Sequence, residues 1–329
     1  MRFHLSLAVV LTIVFIAPNI APAQTADQTQ TGIEEFEAGN LAQAEEIFKD
    51  LQKKTPNDPA PTYYLGRIAF NKNDPKTAIK LFEKVTKIEE DNADYHFWLA
   101  NARFNQIDNV GMLKKMGLAR GGKAALDRCL ELDPDFGGCH ESLARYYEQA
   151  PGIAGGSVEK AKIHAKKLRE IDPLRGGILL ANIHANQKET EEAKAVLTTL
   201  LAAFPESTQA HYDAGMFYQE QKDFNQAFDL FEKAVKVAPE NDGYGLDALY
   251  QIGRTAVFAQ KNMDRGIEAL AQYQTLEVGK YQPSHASALW RKGMLHNLQG
   301  DASKAREAFN QALVLDPDHK QVKAALKEL

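Results

Sequence analysis

The chain has 329 residues, of which 44% are hydrophobic and 25% are charged, and its formal net charge is −5. This apolar content is ample for a continuous core. The mild acidic balance gives no support to nucleic-acid binding, which needs a clustered basic surface.

The first 23 residues differ in kind from the rest. Arg2 and His4 precede an uncharged apolar run over residues 5–17, and residues 21–23 read Ala-Pro-Ala. This order is typical of a secretory signal peptide cleaved after Ala23. An uncleaved anchor is the alternative, but the run is shorter than the roughly 20 apolar residues that span a bilayer. We therefore expect an exported protein, periplasmic in a Gram-negative cell, without a membrane span after cleavage.

A two-helix pattern then recurs about every 34 residues. The clearest copy spans 208–241: small and apolar residues at helical spacing, a polar turn at Lys222-Asp223, a second apolar run, and Pro239 as the stop. Gly215 and Ala227 lack bulk where the two helices would cross, so the backbones can approach closely. A single hairpin cannot bury its own apolar face, and the pattern therefore predicts stacked copies.

The copies share four features. A small residue lies midway along the first helix, an Ala opens the second helix, an aromatic residue follows four positions later, and a Pro ends the unit. The residues are Gly66, Gly215, Gly293; Ala44, Ala78, Ala227, Ala305; Phe48, Phe82, Phe231, Phe309; and Pro56, Pro134, Pro173, Pro205, Pro239, Pro317. In these positions the chain resembles the tetratricopeptide-repeat (TPR) family. The resemblance implies an all-α, right-handed superhelical solenoid of about eight helix-turn-helix repeats that binds other proteins.

The repeat boundaries follow from the Pro positions and the apolar periods. We place the signal peptide at 1–23 and the TPR solenoid at 24–329. The approximate repeats are 25–58, 59–92, 93–134, 135–173, 174–205, 206–241, 242–283 and 284–317, with a charged capping helix at 318–329. The first helix of the first repeat is polar, as a terminal repeat can be.

The third repeat departs from the pattern. Its turn, NQIDNVGMLKKMG, is predicted to be longer by about ten residues before the second helix resumes at ARGGK. The stretch 109–123 concentrates apolar and basic side chains: Met112, Leu113, Lys114, Lys115, Met116, Arg120 and Lys123. It is interpreted either as an amphipathic extension folding back on the array or as a contact for a partner or membrane surface.

The fourth repeat has a Pro/Gly-rich turn over 150–157, followed by a helix predicted at 158–171 with Ser157 as its N-cap. The turn is interpreted as a wide connection, and the alternative is an anion site built from backbone N–H groups. Similar turns occur in the T-component of tripartite ATP-independent periplasmic transporters. That resemblance, limited to one repeat, implies an alternative function: a transporter accessory that binds a solute or a solute-binding protein. Those components are lipoproteins, and this chain lacks the lipid-bearing Cys.

Cys129 and Cys139 are the only cysteines. We interpret them as two small buried side chains at helix crossings. An oxidising compartment would also permit a disulfide, which the spacing allows without proving.

Catalytic signatures are missing from the sequence. It contains no Gly-rich phosphate loop after a strand, no HExxH motif and no paired Cys/His zinc spacing. His184 and His211 are interpreted as ordinary helix side chains. We therefore expect neither an enzyme nor a cofactor or metal site.

The TPR resemblance implies that the first helix of each hairpin lines a concave surface. The candidate partner-binding residues at such positions are Tyr63, Arg67, Asn71, Phe97, Asn101, Arg145, Asn182, Tyr212, Tyr250, Arg254 and Trp290. Aromatic, Arg and Asn side chains together suit an extended peptide. Phe97 and the nearby Phe70 are also candidates for packing between repeats.

Some TPR domains grip a C-terminal carboxylate with a Lys/Asn/Arg clamp. Arg67, Asn71 and Asn101 lie near that register, but Tyr63 stands where the first Lys is expected. The clamp is therefore not supported. The leading hypothesis is a non-enzymatic exported scaffold that binds a protein or peptide in its concave groove and serves the assembly of an envelope complex; its oligomeric state is left open.

Overall fold

The computed structural model describes residues 22–329, which form seventeen α-helices and no strand. The helices are α1 (Pro22–Glu37), α2 (Leu41–Lys54), α3 (Pro59–Asn71), α4 (Pro75–Ile88), α5 (Ala93–Gln106), α6 (Met112–Leu132), α7 (Gly137–Gln149), α8 (Val158–Ile171), α9 (Pro173–Asn186), α10 (Thr190–Ala203), α11 (Thr208–Glu220), α12 (Phe224–Val237), α13 (Gly243–Ala259), α14 (Met263–Tyr273), α15 (His285–Leu298), α16 (Ala302–Leu315) and α17 (Lys320–Glu328). The all-α repeat class is thus confirmed. The predicted signal peptide lies outside the described residues except for its last two positions, and none of the described helices is long and apolar enough to cross a bilayer.

Local sequence explains where the helices begin and turn. Asp74 accepts a hydrogen bond from the Thr77 backbone N–H at 3.1 Å, and Pro75, with its fixed φ, is the first residue of α4. In five hairpins, one residue between the two helices adopts the left-handed conformation that ends the first helix, namely Gly39, Asn73, Lys188, Lys222 and Gly300. The α13–α14 hairpin has two such residues, Gln260 and Asn262.

A glycine and an aromatic ring hold the two helices of four hairpins together. A Cβ built on Gly66 would lie 2.7 Å from the ring of Phe82, and one on Gly215 would lie 2.6 Å from the ring of Phe231. Gly32–Phe48 and Gly293–Phe309 repeat this contact at 2.8 and 2.4 Å. Because these rings are almost fully buried, the close approach predicted at the glycines is confirmed.

The third hairpin keeps the contact but exchanges the partners. The glycine, Gly122, lies on α6, and the ring that would meet its Cβ at 2.6 Å belongs to Phe104 on α5. The hairpins α9–α10 and α13–α14 replace the ring by Leu200 and Leu270, against Gly177 and Gly253.

The predicted long turn in the third repeat is wrong. A short 3-10 turn at Ile107–Asn109 leads almost directly into α6, which starts at Met112 and has 21 residues, whereas α2, α4, α8, α10, α12 and α16 have 14 each. The extra residues extend the helix because Met, Leu, Lys and Arg are good helix formers, and Gly117, which lies among them, costs only about 1 kcal/mol.

The interpretation of the cysteines as free thiols is also wrong. Cys129 near the end of α6 and Cys139 at the start of α7 are bonded to each other, with their Cα atoms 6.6 Å apart. Both are fully buried, as predicted. The short turn between α6 and α7 brings the two positions within bonding distance, which a spacing in sequence cannot establish.

The chain divides into two compact units, unit 1 up to Ser142 and unit 2 from Leu143 onwards, so the division falls inside α7. In unit 1 the apolar core includes Phe48, Leu51 and Ile68 from the first two hairpins. In unit 2 it continues from α9 to α17, where Val322 of the last helix is fully buried beside Phe309.

Candidate partner-binding site

The eleven candidate residues all lie on the first helices of hairpins, five in unit 1 and six in unit 2. Those of unit 1 are Tyr63, Arg67 and Asn71 on α3, with Phe97 and Asn101 on α5. Those of unit 2 are Arg145 on α7, Asn182 on α9, Tyr212 on α11, Tyr250 and Arg254 on α13, and Trp290 on α15. The two sets are described separately below.

In unit 1, Arg67 is enclosed by aromatic rings. Its guanidinium carbon lies 3.8 Å from the centre of the Trp98 ring and 5.2 Å from that of Phe36. The Arg67 Nη1 donates to the Tyr63 hydroxyl at 2.7 Å, and that hydroxyl donates to Asp94 Oδ2 at 2.5 Å. We call these five residues the Arg67 cluster.

The Arg67 cluster joins neighbouring hairpins. Burial, and the hydrogen bond to Asp94, raise the pKa of the Tyr63 hydroxyl well above its ordinary value, so it remains a proton donor to the carboxylate. The Tyr63 hydroxyl thus links the Arg67 guanidinium to the Asp94 carboxylate, which lies on the next hairpin. Tyr63 and Arg67 therefore contribute to packing between α1, α3 and α5, a role that the sequence did not indicate.

The remaining candidates of unit 1 divide between packing and solvent. The Phe97 ring lies 5.3 Å from those of both Trp98 and Phe136, which supports the alternative interpretation of Phe97 as a packing residue. Asn101 donates from Nδ2 to the Phe97 carbonyl at 2.9 Å. Asn71, at the end of α3, is exposed.

In unit 2, Tyr250 is buried and is not available to a partner, so the prediction that it lines the binding surface is wrong. Only 7% of the residue is exposed, and its ring lies 5.7 Å from that of the fully buried Tyr273. Its direction on α13 is set by the packing of α14, which carries Tyr273. The neighbouring candidates Asn182 and Arg145 are exposed.

Arg254 and Trp290 belong to an open cluster on α13 and α15. The Arg254 guanidinium lies 5.1 Å from the ring centre of Phe258, and the Arg291 guanidinium lies 5.5 Å from the same ring. The Arg291 guanidinium also lies 4.3 Å above the Trp290 ring. We call these four residues the Phe258 cluster.

The Phe258 cluster is open to solvent at Phe258, its other three residues are half-buried, and its two arginines have no carboxylate partner among the described residues. Phe258 is 43% exposed. Within the described part of the chain, neither arginine forms an ion pair; Arg254 donates only to the neutral Gln251 Oε1 at 3.3 Å, and Arg291 Nε is buried without a hydrogen-bond partner. Such a surface can take up carboxylates beside an apolar side chain.

Two members of this cluster were missed in the sequence. Phe258 follows Arg254 by four residues, the spacing that places two side chains on one helix face, and Arg291 follows Trp290 directly. Phe258 follows Gly253 by five residues, as Asn71 follows Gly66, so the register that made Asn71 a candidate also indicated Phe258.

A carboxylate-bearing region lies on α11 and near the start of α13. The rings of Tyr212 and Tyr244 are 5.6 Å apart, and burial raises the pKa of Tyr212 to about 12. Burial also raises the pKa of Asp213 to about 6, and it raises that of Asp247. Asp247 Oδ1 is buried and has no hydrogen-bond partner. On α13, Asp247 thus lies closer to the start of the helix than Arg254 does, and Asp213 lies on the preceding first helix, α11.

Other predicted features have local roles. Ser157 caps α8, which runs over Val158–Ile171 as predicted. The backbone N–H groups of residues 154–157 all donate to carbonyls within the turn or α7, so they are not available to an anion. His211 is buried and bonded to the Pro205 carbonyl, and His184 pairs with Glu189. No group of His, Cys, Asp and Glu side chains in residues 22–329 is arranged to hold a metal ion.

Comparison with known families agrees with this architecture. Tetratricopeptide-repeat profiles match residues 35–106, 178–242 and 250–320. The chain belongs to the TPR family. Among solved structures, this TPR chain is similar to a tetratricopeptide repeat protein from Parabacteroides merdae, with a TM-score of 0.56 and 13% identity over 86% of this chain and 99% of the other. It is similar also to a chain of the APC/C hetero-tetramer Cut9-Hcn1, with a TM-score of 0.51, 13% identity, and coverage of 88% and 52%.

Two curated mouse proteins contain related segments. The TPR chain is 30% identical over 152 residues to the protein O-mannosyl-transferase TMTC1, and 24% identical over 301 residues to superkiller complex protein 3. The matches cover 46% and 82% of this chain but only 16% and 18% of those proteins. Membership of the TPR family supports a protein-interaction role for the fold. The transporter T-component likeness of the 150–157 turn stays a prediction.

Proposed function

We propose that this TPR protein is a non-enzymatic, exported scaffold that binds an acidic segment of a protein partner on the first helices of unit 2, and that it serves the assembly of an envelope complex. The observation that carries the binding proposal is the Phe258 cluster. It combines an exposed ring with two guanidinium groups that have no carboxylate partner among the described residues.

The chemistry of the cluster defines the partner segment. A guanidinium group forms two parallel hydrogen bonds to a carboxylate, and its flat face remains in contact with an aromatic ring. Phe258 and Trp290 supply apolar area with few rotatable bonds, which keeps the entropy lost on binding small. The segment that fits carries Asp or Glu side chains on either side of an apolar side chain. Its affinity should fall with rising salt concentration.

The surface is also held rigidly before binding. Gln219 Nε2 of α11 donates to Thr255 Oγ1 of α13 at 2.7 Å within the core. Tyr273 donates to the Pro283 carbonyl at 2.5 Å, which ties the end of α14 to the start of α15. Because the helices that carry the cluster are fixed, little conformational entropy is lost in ordering them when a partner binds.

Export is supported by two independent features. The basic start, apolar run and Ala-Pro-Ala of residues 1–23 have the form of a signal peptide. The bond between Cys129 and Cys139 fits a compartment that favours disulfides. N-terminal sequencing of the protein from a periplasmic fraction tests this part: a start at Gln24 supports it, and an intact Met1 in the cytoplasmic fraction overturns it.

Photo-crosslinking in cells tests the binding surface. We would replace Phe258 by p-benzoylphenylalanine, which keeps an aromatic ring at the site, and place the same residue at Val314 as a control. Val314 is 80% exposed but lies on α16, the second helix of its hairpin. We expect a discrete protein adduct from position 258 and none from position 314.

The crosslink is then repeated in two charge-matched backgrounds. Arg254→Ala with Arg291→Ala removes the unpaired cations, whereas Lys236→Ala with Arg306→Ala removes two exposed cations from second helices. We expect the first pair to reduce the adduct at least tenfold and the second to leave it unchanged. An adduct that survives the first pair, or that forms equally from position 314, would overturn the proposal.

A further inference from the structure

The first turns of α6 in unit 1 extend beyond the hairpin core. The first residue of α6 that is buried is Gly122, ten positions after the helix begins at Met112. At the exposed end, Met112 is 74% exposed and Leu113 is 88% exposed. The hairpin core does not use these first turns of α6. Two adjacent apolar side chains exposed there therefore suggest a contact with another molecule.

Helical spacing places these residues on the outer face. The core side of α6 is defined by Gly122, Ala125 and Cys129, which are buried. On a helix with 100° per residue, Leu113, Met116 and Arg120 fall on the opposite side, and Met112 lies at the edge of that side. The solvent face of this segment is therefore apolar and basic, which reverses the usual polarity of a surface helix.

The charges on this segment are unbalanced. Residues 112–123 carry four cations. The Lys115 Nζ lies 3.5 Å from an Asp108 carboxylate oxygen, and the Lys123 Nζ lies 2.7 Å from one of Asp127. Lys114 and Arg120 are exposed and form no ion pair within the described residues. In a chain of net charge −5, this concentration of cations is a local exception.

We propose that the first three turns of α6, residues 112–120, bind an anionic lipid surface. Met112 and Leu113 enter the boundary between headgroups and acyl chains and Arg120 contacts the anionic headgroups, while Lys114, on the other side of the helix, adds positive charge within reach of the headgroup layer. The long stems of these cations allow their charged ends to stay in the headgroup layer while the helix lies flat.

A lipid surface explains the segment better than a protein partner does. A stable protein interface buries about 800 Å² on each partner, with a packed apolar centre. Two exposed apolar side chains on a projecting helix end are too few for that, but single side chains are enough to enter a lipid interface. The expected binding is weak, reversible and sensitive to salt.

Vesicle co-sedimentation of the full chain tests this proposal. The vesicles are either phosphatidylcholine alone or an equal mixture of phosphatidylcholine and phosphatidylglycerol. The variants are Lys114→Ala with Arg120→Ala, and Met112→Ser with Leu113→Ser. The matched controls are Lys236→Ala with Arg306→Ala, and Val314→Ser with Leu315→Ser, since Val314 and Leu315 are also exposed. Every protein carries residues 1–23, so any membrane affinity of that segment cancels in the comparison.

Each unpaired cation near an anionic surface contributes about a fivefold gain in partitioning. We therefore expect Lys114→Ala with Arg120→Ala to lower partitioning onto anionic vesicles about 25-fold, Met112→Ser with Leu113→Ser to lower it at least tenfold, and both controls to remain within twofold of wild type. Equal partitioning of the wild type onto both vesicle types overturns the proposal, as does a cation variant that binds like wild type. A change of oligomeric state in Met112→Ser with Leu113→Ser, without a change in partitioning, assigns the segment to a protein contact instead. This outcome is independent of the Phe258 cluster, which lies in unit 2.

Discussion

Arg67 and Arg254 occupy similar places on first helices but have opposite environments. Arg67 is enclosed by Trp98 and Phe36 and donates to a hydroxyl that is bonded to a carboxylate. Arg254 lies beside an exposed ring and has only a neutral hydrogen-bond partner. The first side chain therefore contributes mainly to stability, and the second is available for binding.

Alanine substitution should separate these roles. Arg67→Ala removes stacking area and leaves Tyr63 and Asp94 without their cation, so we expect a loss of about 2 kcal/mol and a lower thermal midpoint. Arg254→Ala should change stability by less than about 0.5 kcal/mol. Circular dichroism melts of both variants check this, and equal midpoints would show that the Arg67 cluster is not a structural element.

Asp213 adds a pH dependence to the stability of unit 2. Burial raises its pKa from 3.8 to about 6, so between these pH values the folded state binds more protons than the unfolded state. The free energy of unfolding therefore falls as the pH rises from about 4 to about 6. Above about pH 6 the full loss of stability is present.

Asp213→Asn should remove this cost. We expect the variant to be more stable than wild type by about 1–2 kcal/mol at pH 7.5, once solvent screening of this partly exposed side chain is allowed for. At pH 4 or below the two proteins should differ little, because wild-type Asp213 is then protonated when folded. Urea unfolding at both pH values measures this. A variant that is less stable at pH 7.5 would contradict the assigned direction.

At the scale of helices, the contact between a glycine and a ring decides how closely a hairpin can pack. A Cβ on Gly66 would meet the Phe82 ring at 2.7 Å, whereas one on Gly117 would meet nothing within 4 Å. Both glycines lie inside helices of unit 1. They therefore form a matched pair in which only the packing differs.

Gly66→Ala should destabilise unit 1 by about 1–3 kcal/mol, because the fully buried ring has little space to move. Gly117→Ala should stabilise it by about 0.5–1 kcal/mol through helix propensity. Phe82→Leu in the Gly66→Ala background should recover part of the loss, as the Gly177–Leu200 pair suggests. Chemical denaturation of the three variants provides the measurement, and a stabilising Gly66→Ala would disprove the role of the contact.

Sequence patterns predicted the elements that depend on neighbouring residues. The turn at Lys222-Asp223, the cap at Ser157 and the small residue midway along each first helix all follow from short-range spacing, whereas the ring that each glycine meets was not predicted. The α6 extension was missed because Gly111 and Gly117 were interpreted as turn residues, although the residues between them are strong helix formers.

The site was less predictable, since it depends on which helix covers each side chain. Tyr250 and Arg254 are one turn apart on the same face of α13, yet Tyr273 of α14 packs against Tyr250 and buries it. Arg67 and Arg254 match in pattern, and only the ring of Trp98 from the next hairpin encloses Arg67. Contacts between hairpins are not encoded in the repeat pattern, which specifies the contacts within each hairpin.

At the scale of the whole molecule, the packing within each unit is local along the chain. Helices contact their neighbours, as α15 contacts α16, or the next helix but one, as α11 contacts α13. In such an array, stability is close to a sum of the repeats and the interfaces between adjacent repeats. A defect in one terminal repeat should therefore remain near that repeat.

Phe309→Ala and Phe48→Ala form a reciprocal test, because both residues are almost fully buried and occupy equivalent places near opposite ends. Each substitution should cost its own hairpin about 3–5 kcal/mol. Hydrogen exchange measured by mass spectrometry should then show faster exchange in α15–α17 for Phe309→Ala, with α1–α4 unchanged. Phe48→Ala should give the opposite map, faster in α1–α3 and unchanged in α15–α17. If either substitution accelerates exchange along the whole chain, the array unfolds as one cooperative unit, and a partner bound at the Phe258 cluster would then stabilise distant repeats as well as its own.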